Sequence, residues 1–253
     1  MAYGTAAVPL PLFTAAAGQQ FTARPDIARF PKGGYLVTLG TGRYLDIADN
    51  AAGGSQTLYG IWDNGAPVAL ADLQTQNVVS TALGGSGSNY RLTTHAVGPV
   101  TDAPLAGDNA ISLANYYATK KGWRINLPST GERVVAETTV RFGHVVASTL
   151  IPSTSICSFG GDGWIMDLDS ITGNRSPALD TNGDNLVDAS DYLNGSMVSG
   201  VQVGAVPAAA SIMRSRDRKL DDKLINTSAG SIVRVRESGN TSASRRASWE
   251  QLR

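Results

Sequence analysis

Cysteine, histidine, net charge and long apolar runs are all scarce in this sequence, and each scarcity excludes a class of protein. The 253 residues include one cysteine and two histidines, which excludes an internal disulfide framework and a histidine-rich metal site. Basic residues total 21 and acidic residues 21, so no overall charge favours a nucleic acid or an anionic membrane as partner. No run of about 18 apolar residues occurs, so we expect no membrane-spanning segment.

The beginning of the chain lacks the form of a secretory signal. Residues 1–13 carry no basic segment, and Pro9 and Pro11 interrupt their apolar run. The sequence therefore predicts either a cytosolic protein or a true N-terminus that lies elsewhere.

The composition predicts an almost entirely β structure. Gly, Thr, Ser and Val are abundant, and short apolar runs are separated by Gly, Pro and Asn, a pattern typical of many short strands. The one helical candidate runs from Asp108 to Thr119, with Asp108 or Asn109 as its N-cap. It lies in an expected insertion at about 71–120, in which residues 84–88 are predicted to form a flexible loop.

Two segments resemble each other at a spacing typical of repeat proteins. Gly122-Trp123-Arg-Ile-Asn-Leu recurs as Gly163-Trp164-Ile-Met-Asp-Leu, with the tryptophans 41 positions apart, and residues 58–65 form a looser copy. Repeats of about 40 to 45 residues are typical of β-propeller blades. We therefore predict four-stranded antiparallel blades with the two tryptophans at equivalent positions, although coincidental similarity between Gly-rich strands is an alternative.

The strands before these copies also correspond, which extends the repeat. Residues 24–40 and 134–151 each contain a strand, a tight turn and a second strand. A last unit would extend from Met197 through Val233 and Val235 to Trp249. Only three or four such units fit this length, whereas propellers commonly close with about four to eight blades, so we predict a partial propeller.

The segment from Asp180 to Asp191 has the spacing of a calcium-binding loop. Oxygen-bearing side chains stand at loop positions 1, 3, 5, 9 and 12, and position 7 can offer its carbonyl. Calcium takes roughly six to eight oxygen ligands, which alternate residues of a tightly wound loop can direct at one centre. Gly183 and Asn185 tolerate the positive φ that such a turn requires. A solvated Asp/Asn turn is the alternative.

The loop departs from the EF-hand pattern. Asn185 stands where Gly is usual, and Asp191 stands where a bidentate Glu is usual. Flanking residues such as Gly173, Pro177 and Gly195 leave no room for the two EF-hand helices. We therefore expect an EF-hand-like loop set between strands.

Several segments spread over nearly the whole chain together resemble one protein family. They are residues 34–44, 122–128, 131–135, 149–154, 157–161, 163–169 and 248–252, with the predicted calcium loop between the last two. This set resembles the C-terminal β-propeller of the PilY/PilC family, the type IV pilus tip-associated adhesins and biogenesis factors. The resemblance implies a protein exported through the periplasm to the cell surface, at the pilus tip or outer membrane. Its implied partners are pilus components such as minor pilins, and a host or abiotic surface.

The resemblance also implies a ligand set and a role. The implied calcium ligands are Asp180, Asn182, Asp184, the carbonyl of Leu186, and Asp188. Asp191 lies outside this set, as an extra ligand or a hydrogen-bond acceptor. Calcium occupancy would govern pilus extension and retraction. Residues 1–253 would form the C-terminal part of the propeller, with Met1 as a new start.

Two other functions remain open from the residues alone. A quinoprotein-like dehydrogenase would share the blade ending of Trp164, Asp167 and Thr172, but the short chain and self-contained loop disfavour it, so we expect no enzyme. A carbohydrate-binding or scaffold module would need a second copy of the loop.

The remaining chemically notable side chains predict structural roles. His95 and His144 are expected to pack or hydrogen-bond in place. Cys157 has no nearby base in the sequence, which argues against a catalytic thiol. A solvated face is expected for the basic tail around Arg214, Arg216, Arg218 and Lys219.

Overall fold

The protein is built almost entirely of short antiparallel strands. The computed structural model describes residues 4–5, 8–51, 53–153, 155, 160–175, 179–214 and 220–238. In chain order the strands are β1 (Gly4–Thr5), β2 (Val8–Pro9), β3 (Asp26–Arg29), β4 (Tyr35–Gly40), β5 (Thr57–Asp63), β6 (Gln74–Gln76), β7 (Val78–Leu83), β8 (Asn89–Thr93) and β9 (Gly122–Asn126). They continue as β10 (Thr139–Arg141), β11 (His144–Ser148), β12 (Ile151–Pro152), β13 (Gly161–Asp169), β14 (Gly200–Val203), β15 (Ser211–Arg214), β16 (Leu220–Asn226) and β17 (Ile232–Ser238). The described helices are α1 (Leu113–Thr119) and short 3-10 turns at Ile47–Asn50, Leu70–Asp72 and Ala189–Asp191.

The first sheet has the order β3-β4-β5-β9-β6. Its first four strands are antiparallel, and β6 runs parallel to β9. Gly34 closes the β3–β4 turn at φ 76°, and a Cβ there would overlap the Asp63 carbonyl. The β5 strand is buried over nearly its whole length, because both faces of this sheet are covered.

The second sheet repeats this meander and extends it. Its order is β10-β11-β13-β14-β8-β7, with β12 paired to β13. The β7–β8 hairpin comes from the expected insertion, so that segment is an integral part of the sheet. A third sheet, β15-β16-β17, packs on the second. The described sheets do not close into a ring, which confirms the all-β, partial-propeller prediction.

The predicted equivalence of the two tryptophans is wrong. Trp123 lies on β9, the fourth strand of the first meander, whereas Trp164 lies on β13, the third strand of the second. Both side chains are buried in one cluster between these sheets. The shared Gly-Trp pattern therefore indicates a buried strand whose glycine lies against the backbone of a neighbouring segment. It does not identify the position of that strand in a blade.

Two element boundaries also differ from expectation. Helix α1 begins at Leu113, and its N-cap is Ser112, whose hydroxyl accepts the Asn115 amide at 3.2 Å. Asp108 instead accepts the backbone amides of His95 and Leu105, so it is committed to a loop. The segment after Met197 forms β14 of the second sheet and does not open the last unit.

Candidate metal site

The predicted calcium loop joins β13 to β14 at a junction of three elements. The Asp180 amide donates to the Arg236 carbonyl of β17 at 3.0 Å. The Thr181 carbonyl accepts the Ser86 amide of the β7–β8 turn at 2.9 Å. The loop is therefore set between strands, with its base held by two neighbouring sheets.

Side-chain oxygens wind the loop through successive turns. The two Asp180 carboxylate oxygens accept the amides of Gly183 at 2.6 Å and Asn185 at 3.1 Å. Asn182 Oδ1 accepts the Asp184 amide at 2.9 Å. Gly183 and Asn185 have φ of 83° and 69°, which confirms that both adopt the left-handed conformation. The spacing thus produces the expected coiled backbone.

Asp191 braces the base of the loop. Its side chain is fully buried, Oδ1 accepts the Thr181 amide at 2.7 Å, and Oδ2 accepts the Asp188 amide at 3.0 Å. The two ends of the loop are thereby fastened to one carboxylate. The structure shows this residue as a hydrogen-bond acceptor at the base of the loop. The Asp188-Ala-Ser-Asp191 spacing of a capping box is the sequence signal for it.

The donor set of the loop fits calcium. Asp180, Asn182, Asp184, Asp188 and the Leu186 carbonyl would hold the ion, and all five offer oxygen, which this hard cation prefers. Asp184 and Asp188 are exposed. Backbone and hydroxyl hydrogen bonds from Ser190 lower the pKa of Asp188, which keeps it ionised near neutral pH.

A different group of described residues also presents ligand atoms close enough together to hold a metal ion. His144, Asp167 and Glu237 each present one such atom within 4.8 Å of the others. The Lys223 ammonium, however, pairs with both Asp167 and Glu237. This buried ammonium, together with His144, balances the charge of the carboxyl groups without a metal ion. We therefore assign these four residues, the "inter-sheet quartet", to joining the second and third sheets.

Contacts within the inter-sheet quartet change the pKa of its members. His144 Nδ1 lies 2.9 Å from Asp167 Oδ1. Although burial opposes it, the Asp167 charge and hydrogen bond raise the pKa of His144 to about 9. Burial, with the nearby Asp167 charge, raises the pKa of Glu237 to about 8. His144 therefore hydrogen-bonds in place, as expected, but as a protonated group in a cluster that sequence reasoning missed.

Of the other residues singled out in the sequence, some lie among the described residues and some do not. The Arg214 guanidinium lies 5.1 Å from the centre of the Phe142 ring. Cys157, Arg216, Arg218, Lys219 and Trp249 lie outside the described residues. In the described ranges, no helix combines the length and apolarity needed to cross a membrane.

Comparison with known proteins gives the chain its family. The protein-family model described as the PilY1 beta-propeller domain matches residues 6–86 of the sequence. A type IV pilus biogenesis factor PilY1 homolog of Xylella fastidiosa is 32% identical over 177 residues, covering 65% of this chain and 11% of that protein. The type IV pilus biogenesis factor PilY1 of Pseudomonas aeruginosa (strain UCBPP-PA14) is 31% identical over 219 residues, covering 76% of this chain and 18% of that protein. The chain belongs to the PilY/PilC family.

The fold comparison agrees with this membership. The crystal structure of the Pseudomonas aeruginosa PilY1 C-terminal domain matches with a TM-score of 0.66 at 22% identity, covering 89% of this chain and 48% of that one. The chain thus has a PilY1-type propeller fold. It spans only 11% and 18% of the length of the two curated relatives. These matches favour the PilY/PilC interpretation over a quinoprotein-like dehydrogenase.

Proposed function

We propose that this chain is the calcium-binding propeller region of a non-enzymatic type IV pilus protein. In the intact protein it would act at the cell surface, at the pilus tip or outer membrane, in pilus biogenesis, extension and retraction, and adhesion. The observation that carries the proposal is an all-oxygen loop, residues 180–191, wound by its own carboxylates at the junction of two sheets of a PilY1-type fold. Pilus components would be its partners.

The loop has a fixed base and an exposed outer part. Asp191 and the Thr181 carbonyl anchor the base, whereas Gly183, Asp184 and Asn185 are exposed. When bound, calcium would supply the positive charge that the Asp180, Asp184 and Asp188 carboxylates lack. Without a cation, mutual repulsion of these carboxylates favours an outward displacement of the outer part. A surface formed by residues 182–188 would then depend on occupancy, as in other metal-driven switches.

The first experiment is isothermal titration of the full chain with calcium and with magnesium. We expect one calcium site and weaker magnesium binding, because a multi-carboxylate loop suits the larger, less strictly octahedral ion. Asp184→Ala should abolish calcium binding. The matched control is Asp72→Ala, which removes another aspartate that accepts a backbone amide in a turn and should leave the titration unchanged. Retained binding by Asp184→Ala would refute the site.

The second experiment separates binding from biology. Asp188→Ala is introduced into the full-length protein in its own bacterium, and surface pili, attachment and twitching are scored. We expect reduced piliation and motility if occupancy controls the pilus. Normal piliation, attachment and twitching with proven loss of calcium binding would leave the loop a purely structural site and refute the regulatory role.

A further inference from the structure

A cavity of about 670 Å³ lies where the two longest connections of the described chain meet. One wall belongs to the connection between β8 and β9, and the other is formed by the last residue of β13 and by residues between β13 and β14. Its volume lies within the roughly 300 to 1,000 Å³ common for ligand sites. Neither the calcium proposal nor the fold requires such a space.

The walls of this cavity are held in fixed positions. Asn174 Oδ1 accepts the Val97 amide at 3.1 Å, and its amide nitrogen donates to the Val97 carbonyl at 2.8 Å. The buried Arg175 guanidinium pairs with Asp102 at 2.7 Å and Asp108 at 2.8 Å. A side chain entering the cavity therefore meets a largely pre-formed surface, which limits the ordering cost of binding.

The charges around the cavity are predominantly negative. The charge of Arg175 is already matched by Asp102 and Asp108, and Asp169 adds a third carboxylate. Burial and the Arg175 charge lower the pKa of His95, so this lining imidazole is neutral at pH 7. Among the described residues, no side-chain cation forms an ion pair with Asp169.

Asp169 has one oxygen available. Its Oδ1 accepts the Ile171 amide at 3.0 Å and the Thr172 amide at 2.7 Å. In the described part of the chain, its Oδ2 has no hydrogen-bond partner. A single available oxygen suits the compact ammonium of lysine better than guanidinium, whose planar fork favours a bidentate carboxylate.

The rest of the lining suits an aliphatic stem that ends in a cation. Val97, Leu113 and Met197 provide apolar surface, and Tyr117 and Tyr192 provide aromatic rings. The chain's own Lys32 places its ammonium 5.1 Å from the centre of the Tyr117 ring, which shows that a cation packs on this ring. Lysine stems pack along apolar surface while the head keeps polar contacts, and an ammonium is attracted to a ring face.

We propose that this cavity binds a lysine side chain presented by a partner protein. The Asp169 carboxylate pairs with the ammonium, the tyrosine rings flank it, and the apolar residues cover its stem. The site lies apart from the calcium ligands in function, although Tyr192 follows Asp191 directly in sequence. Binding of lysine here does not depend on the calcium proposal being correct.

The test uses the methionine methyl groups as reporters. The chain has four methionines, so ¹³C-methyl labelling gives a simple spectrum in which Met197→Leu identifies the cavity signal. Titration with Nα-acetyl-lysine N-methylamide should shift the Met197 signal saturably. The norleucine analogue, which has a similar stem without the charge, should produce little shift. Asp169→Asn keeps the Oδ1 acceptor and should weaken lysine binding by about tenfold or more.

Controls make each outcome decisive. Asp222→Asn, on β16 and paired with Arg234 and Arg236, should leave the titration unchanged, and unaltered signals of the other methionines establish that Asp169→Asn is folded. Tyr192→Leu provides a second variant that should weaken binding. Tighter binding of 1,5-diaminopentane than of the lysine amide would overturn the assignment to a partner's side chain in favour of a free polyamine. No saturable shift, equal shifts with the norleucine analogue, or full binding by Asp169→Asn would overturn the site.

Discussion

The two faces of the second sheet are packed by different means. The interface with the first sheet is formed mainly by aromatic and aliphatic side chains, including Trp123 of the first sheet and Trp164 and Met166 of the second. It also holds one buried ion pair, Arg91–Glu132, which packs against Trp164. The face toward the third sheet also has an apolar cluster, but it adds the inter-sheet quartet of His144, Asp167, Lys223 and Glu237. Apolar packing around a single ion pair therefore positions one neighbour, and a cluster of four titratable side chains helps to position the other.

The apolar interface relies on glycines placed opposite large side chains. In the first sheet Gly60 on β5 faces Trp123 on β9, and a Cβ at Gly60 would overlap the indole. In the second sheet the arrangement is reversed, since Gly200 on β14 faces Met166 on β13. In each sheet a large core residue therefore lies opposite a glycine, and the large residue comes from a different strand in the two sheets. The glycine and the large residue of such a pair can therefore lie on either of the two adjacent strands.

The largest expected effect is at the charged interface. Lys223→Met should lower the free energy of unfolding by about 3–5 kcal/mol, because it leaves Asp167 and Glu237 buried without their cation. Urea unfolding measures the change. Arg234→Met is the control, because it breaks a half-exposed pair with Asp222 that should contribute only about 0–1 kcal/mol. If both variants lost the same free energy of unfolding, burial of the quartet would not increase its contribution to stability.

The apolar interface should respond to volume instead of charge. Gly60→Met should destabilise the protein by about 3 kcal/mol, because the new side chain would overlap Trp123 and overpacked cores relax poorly. Combining it with Trp123→Gly reproduces the second sheet's arrangement, with the large residue on the third strand. Thermal and urea unfolding should show the double variant to be more stable than Gly60→Met alone. A purely additive double variant would contradict direct coupling of the two positions.

The charged interface should also depend on pH. The pKa of His144 is raised to about 9 in the folded protein from 6.5, so its stabilisation is complete below pH 6.5 and is lost as pH rises through about 9. Between pH 7 and pH 10 this loss should be on the order of 2 kcal/mol. The raised pKa of Glu237 acts in the same direction. The measurement is urea unfolding of wild type and His144→Gln across this range, and a parallel decline in both would contradict the assignment.

Sequence reasoning recovered what depends on local spacing. The coiled backbone of residues 180–191, the paired meanders and the β class all follow from short-range patterns. The quartet could not be found in this way, because Lys223 and its partner Asp167 are 56 residues apart and lie on different sheets. Strand alternation places Asp221, Lys223 and Ile225 on one buried face of β16, and a charged residue at such a position gives no signal of burial. The 41-residue spacing gave a wrong equivalence of the two tryptophans for a related reason. A buried tryptophan can lie on more than one strand of a meander, so its burial does not identify the strand.

The long connections offer a second comparison, because each joins the third strand of a meander to the fourth. Residues 64–121 connect β5 to β9, and residues 170–199 connect β13 to β14. The first contains the β7–β8 hairpin and the second contains the proposed calcium loop, and the two are in contact where the Ser86 amide donates to the Thr181 carbonyl. The turn predicted to be a flexible loop is therefore a contact surface for the proposed metal site.

The smallest expected effect tests this contact. A Cβ at Gly84 would overlap the Tyr90 ring and approach the Thr181 carbonyl, whereas one at Gly87 in the same turn would meet nothing within 4 Å. Gly84→Ala should therefore displace the hairpin from the base of the loop and weaken calcium binding about two- to tenfold, or roughly 0.4–1.4 kcal/mol. Gly87→Ala carries a backbone strain of its own, at φ 84°, but should leave the calcium affinity unchanged. Calorimetric titration of both variants measures the difference. Equal affinities would mean that the two connections touch without being coupled, so that the loop is held by Asp191 and β17 alone.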